Sequence, residues 1–292
     1  MDAYPLCIRS KDPEEIIHAI KLFAGSFGGI NLEDISAPRC FEIETRLKAE
    51  LDIPVFHDDQ HGTAIVMAAA LTNALKLAGK PIGGVRVALN GAGAAGIAIA
   101  KFLISFGVGD VVVCDKAGIL QADDDRFNPA QQALAAMTNK SGLKGLLSDA
   151  MKGADVFIGV SGPNCVTKDM VRSMAAKPIL FTCANPTPEI PPQDAKDAGA
   201  FILGTGSSEH PNQINNVLVF PGLFRGALDV RASTVNQEMM IAASHGIADC
   251  VTESELSTDY ILPYAYNQRA HDAVAEAVRR AAVETGVAKI SR

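Results

Sequence analysis

The chain has 292 residues, 48% of them apolar and 20% charged, which is enough to bury a large core and too ordinary a composition for wholesale disorder. A net charge of −7 and no basic run longer than a pair argue against nucleic acid as the main partner. No stretch approaches the roughly 20 apolar residues of a membrane span, and "MDAYPLCIRSKDPEE" lacks the basic and apolar blocks of a signal peptide.

The six cysteines, Cys7, Cys40, Cys114, Cys165, Cys183 and Cys250, are dispersed and form no C-x-x-C pair. They are expected to be buried free thiols of a reducing, cytoplasmic compartment.

After a short extended opening, Asp12 can cap a helix that has Pro13 at its first position and Glu14 and Glu15 at the positive end of its dipole. Gly25 is its expected stop. "FGGINLEDI" runs apolar into Glu33 and Asp34, and "PRCFEIETRLKAEL" places Phe41, Ile43, Leu47 and Leu51 at helical spacing. "IPVFHDD" reads as a short strand ending in carboxylates, with Asp58 and Asp59 in a loop. From His61 to Gly79 the chain is apolar almost all the way round, as in a helix buried between layers.

Next come "VRVALN", "GAGAAGIAIAKFLISFG" and "DVVVCD", which together make strand, glycine turn, helix, strand. The strand-like runs "ADVFIGVS", "PILFTCA" and "AFILGT" follow at intervals that leave room for helices. "TVNQEMMIAASHGIAD" and "NQRAHDAVAEAVRRAAVETG" close the chain as two helices. The expected fold class is α/β, a Rossmann-like, doubly wound, mostly parallel sheet covered on both faces.

Gly91, Gly93 and Gly96 match G-x-G-x-x-G: a tight turn, a close backbone approach to a pyrophosphate, and close packing of helix on strand. The backbone of Ala94 and Ala95 then presents the start of the helix to the phosphates. Three glycines also suit a plain tight turn, but here they follow a strand and open a helix. Asp115 ends the next strand 24 residues after Gly91, near the ~20 expected of a carboxylate that binds the adenosine ribose. Asp115 favours NAD, and the neighbouring Lys116 leaves NADP open.

Glu33 with Asp34 and Asp58 with Asp59 are two acid pairs, each beside an apolar segment. Such carboxylates suit Mg²⁺ or Mn²⁺ if they meet, or simply cap helices if they do not. His57 and His61 are four apart, as in zinc helices, but the loop expected between them does not secure that geometry. They are read as hydrogen-bonding or packing residues.

Taken together, "FGGINLEDI", "IPVFHDDQHGTA", "GAGAAG", "ANPTPE", "PNQINNVLVFPG" and "FRGALDVRA" resemble the malic enzymes, particularly the short bacterial type, over nearly the whole chain. The resemblance implies oxidative decarboxylation of malate to pyruvate and CO₂ with reduction of NAD, or NADP, and a bound Mg²⁺ or Mn²⁺. It implies Glu33, Asp34 and Asp59 as metal ligands, Asp58 as an orienting residue, and Asn185 and Asn216 as substrate-binding amides. A homo-oligomer, dimeric or larger, is implied as well. The implied division is a remnant of a substrate and metal-binding domain in residues 1–60, a dinucleotide-binding domain in 61–230, and C-terminal helices in 231–292.

The family's lysine base and tyrosine acid belong to an upstream segment that this sequence lacks. Neither Lys11 nor Tyr4 matches their motifs, so no base or acid is assigned. "GSSEHPNQ" departs from relatives that carry an arginine near Ser207. The alternative reading is a catalytically silent NAD(P)- and metal-binding fragment, or an interaction module. A different Rossmann oxidoreductase would leave "NLEDI" and "HDDQHGTA" unexplained.

Overall fold

The computed structural model describes residues 1–290, and the last two residues of the expected C-terminal stretch lie outside them. Asp12 accepts the Glu14 N–H at 2.8 Å and caps α1 (Pro13–Phe23). Gly25 does not stop this helix cleanly; it lies inside a 3-10 turn (Ala24–Ser26) that extends it. β1 (Ile30–Leu32) is followed by α2 (Arg39–Glu50), and β2 (Val55–His57) returns to pair with β1 in parallel. The isoleucines of α1, with Ile30, Leu32, Ile43, Leu47 and Val55, form a small core. Alternation along β2 turns Phe56 the other way, into the large core, where its ring meets those of Phe220 and Phe224 edge-on at 5.6 and 6.3 Å.

Asp58 and Asp59 correct the expected loop. They begin a π turn (Asp58–Gly62) that runs directly into α3 (Thr63–Ala78). Twelve of the sixteen residues of α3 are buried, so it does lie between layers, and it ends at Gly79 in the left-handed conformation.

The βαβ unit is β3 (Arg86–Asn90), α4 (Ala94–Ser105) and β4 (Asp110–Asp115). The chain continues through β5 (Gly118–Ile119), α5 (Pro129–Ala135), α6 (Leu147–Met151), β6 (Val156–Gly159), α7 (Lys168–Arg172), β7 (Ile179–Thr182), α8 (Pro192–Asp197) and β8 (Ile202–Thr205). It closes with α9 (Gly222–Asp229), α10 (Gln237–Ala248) and α11 (Gln268–Glu284).

Among the described residues the main sheet runs β5-β4-β3-β6-β7-β8, all parallel except for β5, a two-residue antiparallel edge that no periodicity announces. Alternate strand residues serve opposite faces: Leu89, Val113 and Ile158 join one core, and Ala88, Val112 and Phe157 join the other. That two-sided burial is why the strands read as unbroken apolar runs. β4 lies on one side of β3 and β6 on the other, which makes the ends of β3 and β6 the switch point where such sheets open a crevice.

No helix among the described residues is long and apolar enough to cross a membrane. The six cysteines are free; Cys40 and Cys114 are buried, Cys165, Cys183 and Cys250 half-buried, and Cys7 is exposed, contrary to expectation.

Candidate active site

At the end of β3 the glycine run turns into α4. Gly91 has φ of 114°, and a Cβ there would lie 2.6 Å from the Val160 carbonyl oxygen. Gly96 is more tightly constrained, because a Cβ would fall 1.7 Å from the Gly91 carbonyl oxygen. Gly93 has nothing within 4 Å of its Cβ position, so the loop is open where a pyrophosphate would approach the backbone.

The loop faces a cleft of about 910 Å³ lined by Phe41, Gly91, Gly93, Asp115, Gln131 and Ser161 among others. Ala94 and Ala95 form the first turn of α4. Lys116 is exposed beside Asp115, and its N–H donates to Asp115 Oδ1 at 2.7 Å.

Gln131 holds the other oxygen of Asp115. Its amide donates to Asp115 Oδ2 and, at 3.3 Å, to the Ala92 carbonyl of the glycine loop. The Asn128 N–H donates to Gln131 Oε1 at 3.0 Å, which fixes which end of the amide faces Asp115. The Asn128-x-x-Gln131 capping box that creates this geometry is a sequence signal that the motif reading passed over.

The acid pairs meet because of strand register. Leu32 pairs with His57 across β1 and β2, so Glu33 and Asp34 emerge beside Asp58 and Asp59. The Asp34 N–H donates to Asp59 Oδ2 at 2.9 Å, from a backbone with φ of 56°. Glu33 accepts from the Asn31 amide at 3.0 Å.

Burial and then the charge of Asp59 hold Glu33 above the usual carboxylate range. Burial, followed by the charge of Glu33, pushes Asp58 up to about 7, with Asn216 pulling the other way. Asp58 Oδ1 is buried without a partner among the described residues, and so is Nδ1 of the fully buried His57. Gly62 is what lets Asp58 fold back on the π turn, since a Cβ there would lie 2.0 Å from Asp58 Oδ1 and 3.2 Å from Asn216 Cβ.

The structure therefore gathers Glu33, Asp34, Asp58, Asp59 and Asn216 into one neighbourhood. Their side chains do not yet close on a point: among the described residues, no three His, Cys, Asp or Glu side chains are arranged to hold a metal ion. Asn185 is exposed after β7 and without a side-chain hydrogen bond among the described residues. His57 and His61 are packing and hydrogen-bonding residues, as read: His57 meets the Ile35 carbonyl at 3.3 Å, and His61 meets Glu44 at 2.7 Å. Glu44, buried on α2, also accepts from Gln60 at 3.3 Å, so one carboxylate holds the two residues that follow Asp59. Its sequence neighbourhood carries no mark of that task, because an acid on a helix ordinarily faces water.

A family model described as the malic enzyme NAD binding domain matches residues 60–283, and one described as the malic enzyme N-terminal domain matches residues 9–48. The bifunctional malic/malolactic enzyme of Bacillus subtilis is 54% identical over the whole chain, which spans 71% of that relative. The NAD-dependent malic enzyme of Geobacillus stearothermophilus is also 54% identical, over 99% of the chain and 60% of its own length. Among solved structures, the NAD-dependent malic enzyme from Thermotoga maritima superimposes with a TM-score of 0.92 at 47% identity, covering 96% of this chain and 74% of that one.

Proposed function

Because the chain belongs to the malic enzyme family, we propose that its crevice and acidic cluster serve the oxidative decarboxylation of malate to pyruvate and CO₂ with reduction of NAD. The observation that carries this reading is that two devices adjoin. The π turn bearing Asp58 and Asp59 packs against α4, the helix that opens from the glycine loop.

The donor chemistry of the acidic cluster suits a hard divalent cation, although its side chains are not closed on one point. Its donors are carboxylate oxygens, two of its acids are held above their usual range by burial and mutual charge, and Asp58 Oδ1 is buried without a partner. Glu33, Asp34 and Asp59 would hold Mg²⁺ or Mn²⁺, with Asp58 beside them as the orienting residue that the family resemblance implies. The chemistry that such an ion would supply there is Lewis-acid polarisation of a substrate oxygen. The dinucleotide that the glycine loop would hold would supply hydride-accepting chemistry.

The chain's own residues do the positioning. Gly91, Gly93, Ala94, Ala95 and Gly96 receive the pyrophosphate, and Asp115, aimed by Gln131, receives the ribose hydroxyls and so favours NAD over NADP. Asn216, against Asp58, and Asn185, after β7, bind the substrate through their amides. The base that takes the 2-hydroxyl proton and the acid that returns one to the enolate carbon are not assigned to any residue of this chain, which spans 60–71% of the two curated relatives described above.

The test is binding and turnover on the purified chain: NADH and Mn²⁺ by calorimetry, and malate-dependent reduction of NAD and NADP by absorbance. The proposal expects both ligands to bind and any turnover to need Mn²⁺. Failure to bind either ligand would overturn it.

A further inference from the structure

Glu189 is fully buried and has no part in the reaction outlined above. It closes the "ANPTPE" segment, and its two oxygens serve the loops after two different strands. Oε1 accepts the Ser161 N–H at 3.2 Å, and Oε2 accepts the Ala184 N–H at 3.1 Å. Ser161 opens the loop after β6, and Ala184 precedes Asn185 in the loop after β7. The backbone continues the tie, with Asn164 N–H donating to the Pro188 carbonyl at 3.1 Å and Val166 N–H donating to the Glu189 carbonyl at 3.0 Å.

Space for the carboxyl group comes from Gly159, where a Cβ would lie 2.3 Å from the Glu189 carboxyl carbon. Burying a carboxylate is costly, and burial does raise this one above its ordinary range, with the two backbone N–H groups lowering it in part. An apolar replacement would instead strand two buried donors.

β6 and β7 lie across the switch point from β4 and Asp115. In such folds the adenosine half of a dinucleotide lies on the β4 side and the nicotinamide half crosses to the other. We propose that Glu189 is a positioning residue that locks the loops after β6 and β7 into one unit, setting the nicotinamide half of the cofactor and Asn185 together. The adenosine half is held by the glycine loop and Asp115, on the β4 side of the switch point. This inference rests on the reading of the crevice as an NAD(P) site.

Glu189→Gln separates the possibilities. A glutamine fills the same volume but offers one acceptor oxygen, so its NH₂ meets the second backbone N–H donor to donor and one loop is released. NADH and AMP, the adenosine half alone, are titrated by calorimetry into the full chain and into Glu189→Gln. The expected result is a loss of about tenfold or more in NADH affinity, with AMP changed by less than about twofold. Gly159→Ala, which keeps the carboxylate but crowds it, is expected to give the same contrast and replaces the first variant if that one fails to fold.

Unchanged NADH affinity, or equal losses for both ligands, would overturn the role of Glu189 while leaving the NAD(P) reading intact. A parent chain that binds neither ligand would overturn that reading and this inference with it.

Discussion

Glu44 Oε1 and His61 Nε2 face each other at 2.7 Å, joining the middle of α2 to the π turn. Burial alone would raise the pKa of Glu44, but His61 and Lys48 outweigh it and hold the group down to about 2. The folded value is thus below the ordinary 4.5, so the ionised carboxylate stabilises the fold fully above that pH and progressively less as pH falls toward 2. The contribution is on the order of 3 kcal/mol. Urea unfolding across this pH range should show a steeper loss of stability for the parent than for Glu44→Gln. Parallel profiles for the two would remove Glu44 from the acid response.

Gly96→Ala is expected to damage the cofactor site more than any other single methyl addition in the loop, because its Cβ would fall 1.7 Å from the Gly91 carbonyl oxygen. One of the two backbones must shift, and the shift spreads through the turn that receives the pyrophosphate. NADH affinity should fall by more than about tenfold, with a lower melting temperature. Near-parental NADH binding would mean that the phosphates lie elsewhere.

For cofactor choice, Asp115→Ala should weaken NAD more than NADP, since the carboxylate pairs with a free hydroxyl and repels a 2′-phosphate. Gln131→Ala should act in the same direction and less strongly, because Lys116 N–H still holds one oxygen of Asp115. The dissociation constants of both dinucleotides decide the matter. Equal losses for NAD and NADP would deny that Asp115 reads the ribose.

Asp59→Ala is expected to abolish Mn²⁺ binding and largely spare NADH. The variant removes an acceptor for the Asp34 N–H as well as a donor to the metal, while the glycine loop stays intact. Calorimetric titration of Mn²⁺ checks it, and unchanged metal affinity would take Asp59 out of the ligand set.

Much of the architecture is written locally. The strands are apolar runs because both faces of the sheet are covered, and caps such as Asp12 and Asn236 mark helix starts by chemistry alone. The cofactor loop is legible for the same reason, since its glycines meet steric demands within a few residues of chain.

What stayed hidden depends on contacts that sequence does not order. The meeting of the acid pairs needs the pairing of Leu32 with His57, and the π turn needs room for Asp58 beside Gly62. Glu44 looks like a surface acid until His61 and Gln60 arrive from the next turn. Glu189 sits in no periodic pattern at all, because its partners are two backbone groups from the loops that follow separate strands.

The enclosure of α3 also bears on how the molecule fluctuates. With α4 and α10 packed against it and its middle almost wholly out of solvent, its amide hydrogens belong with those that exchange only when the whole domain opens. The π turn is continuous with that helix, so Asp58 and Asp59 hang from a buried segment. Asn185 has no such helix behind it: it is exposed, on a loop tied to its neighbour through the buried Glu189 carboxylate. One side of the reaction space therefore hangs from a buried helix, and the other from a single buried side chain.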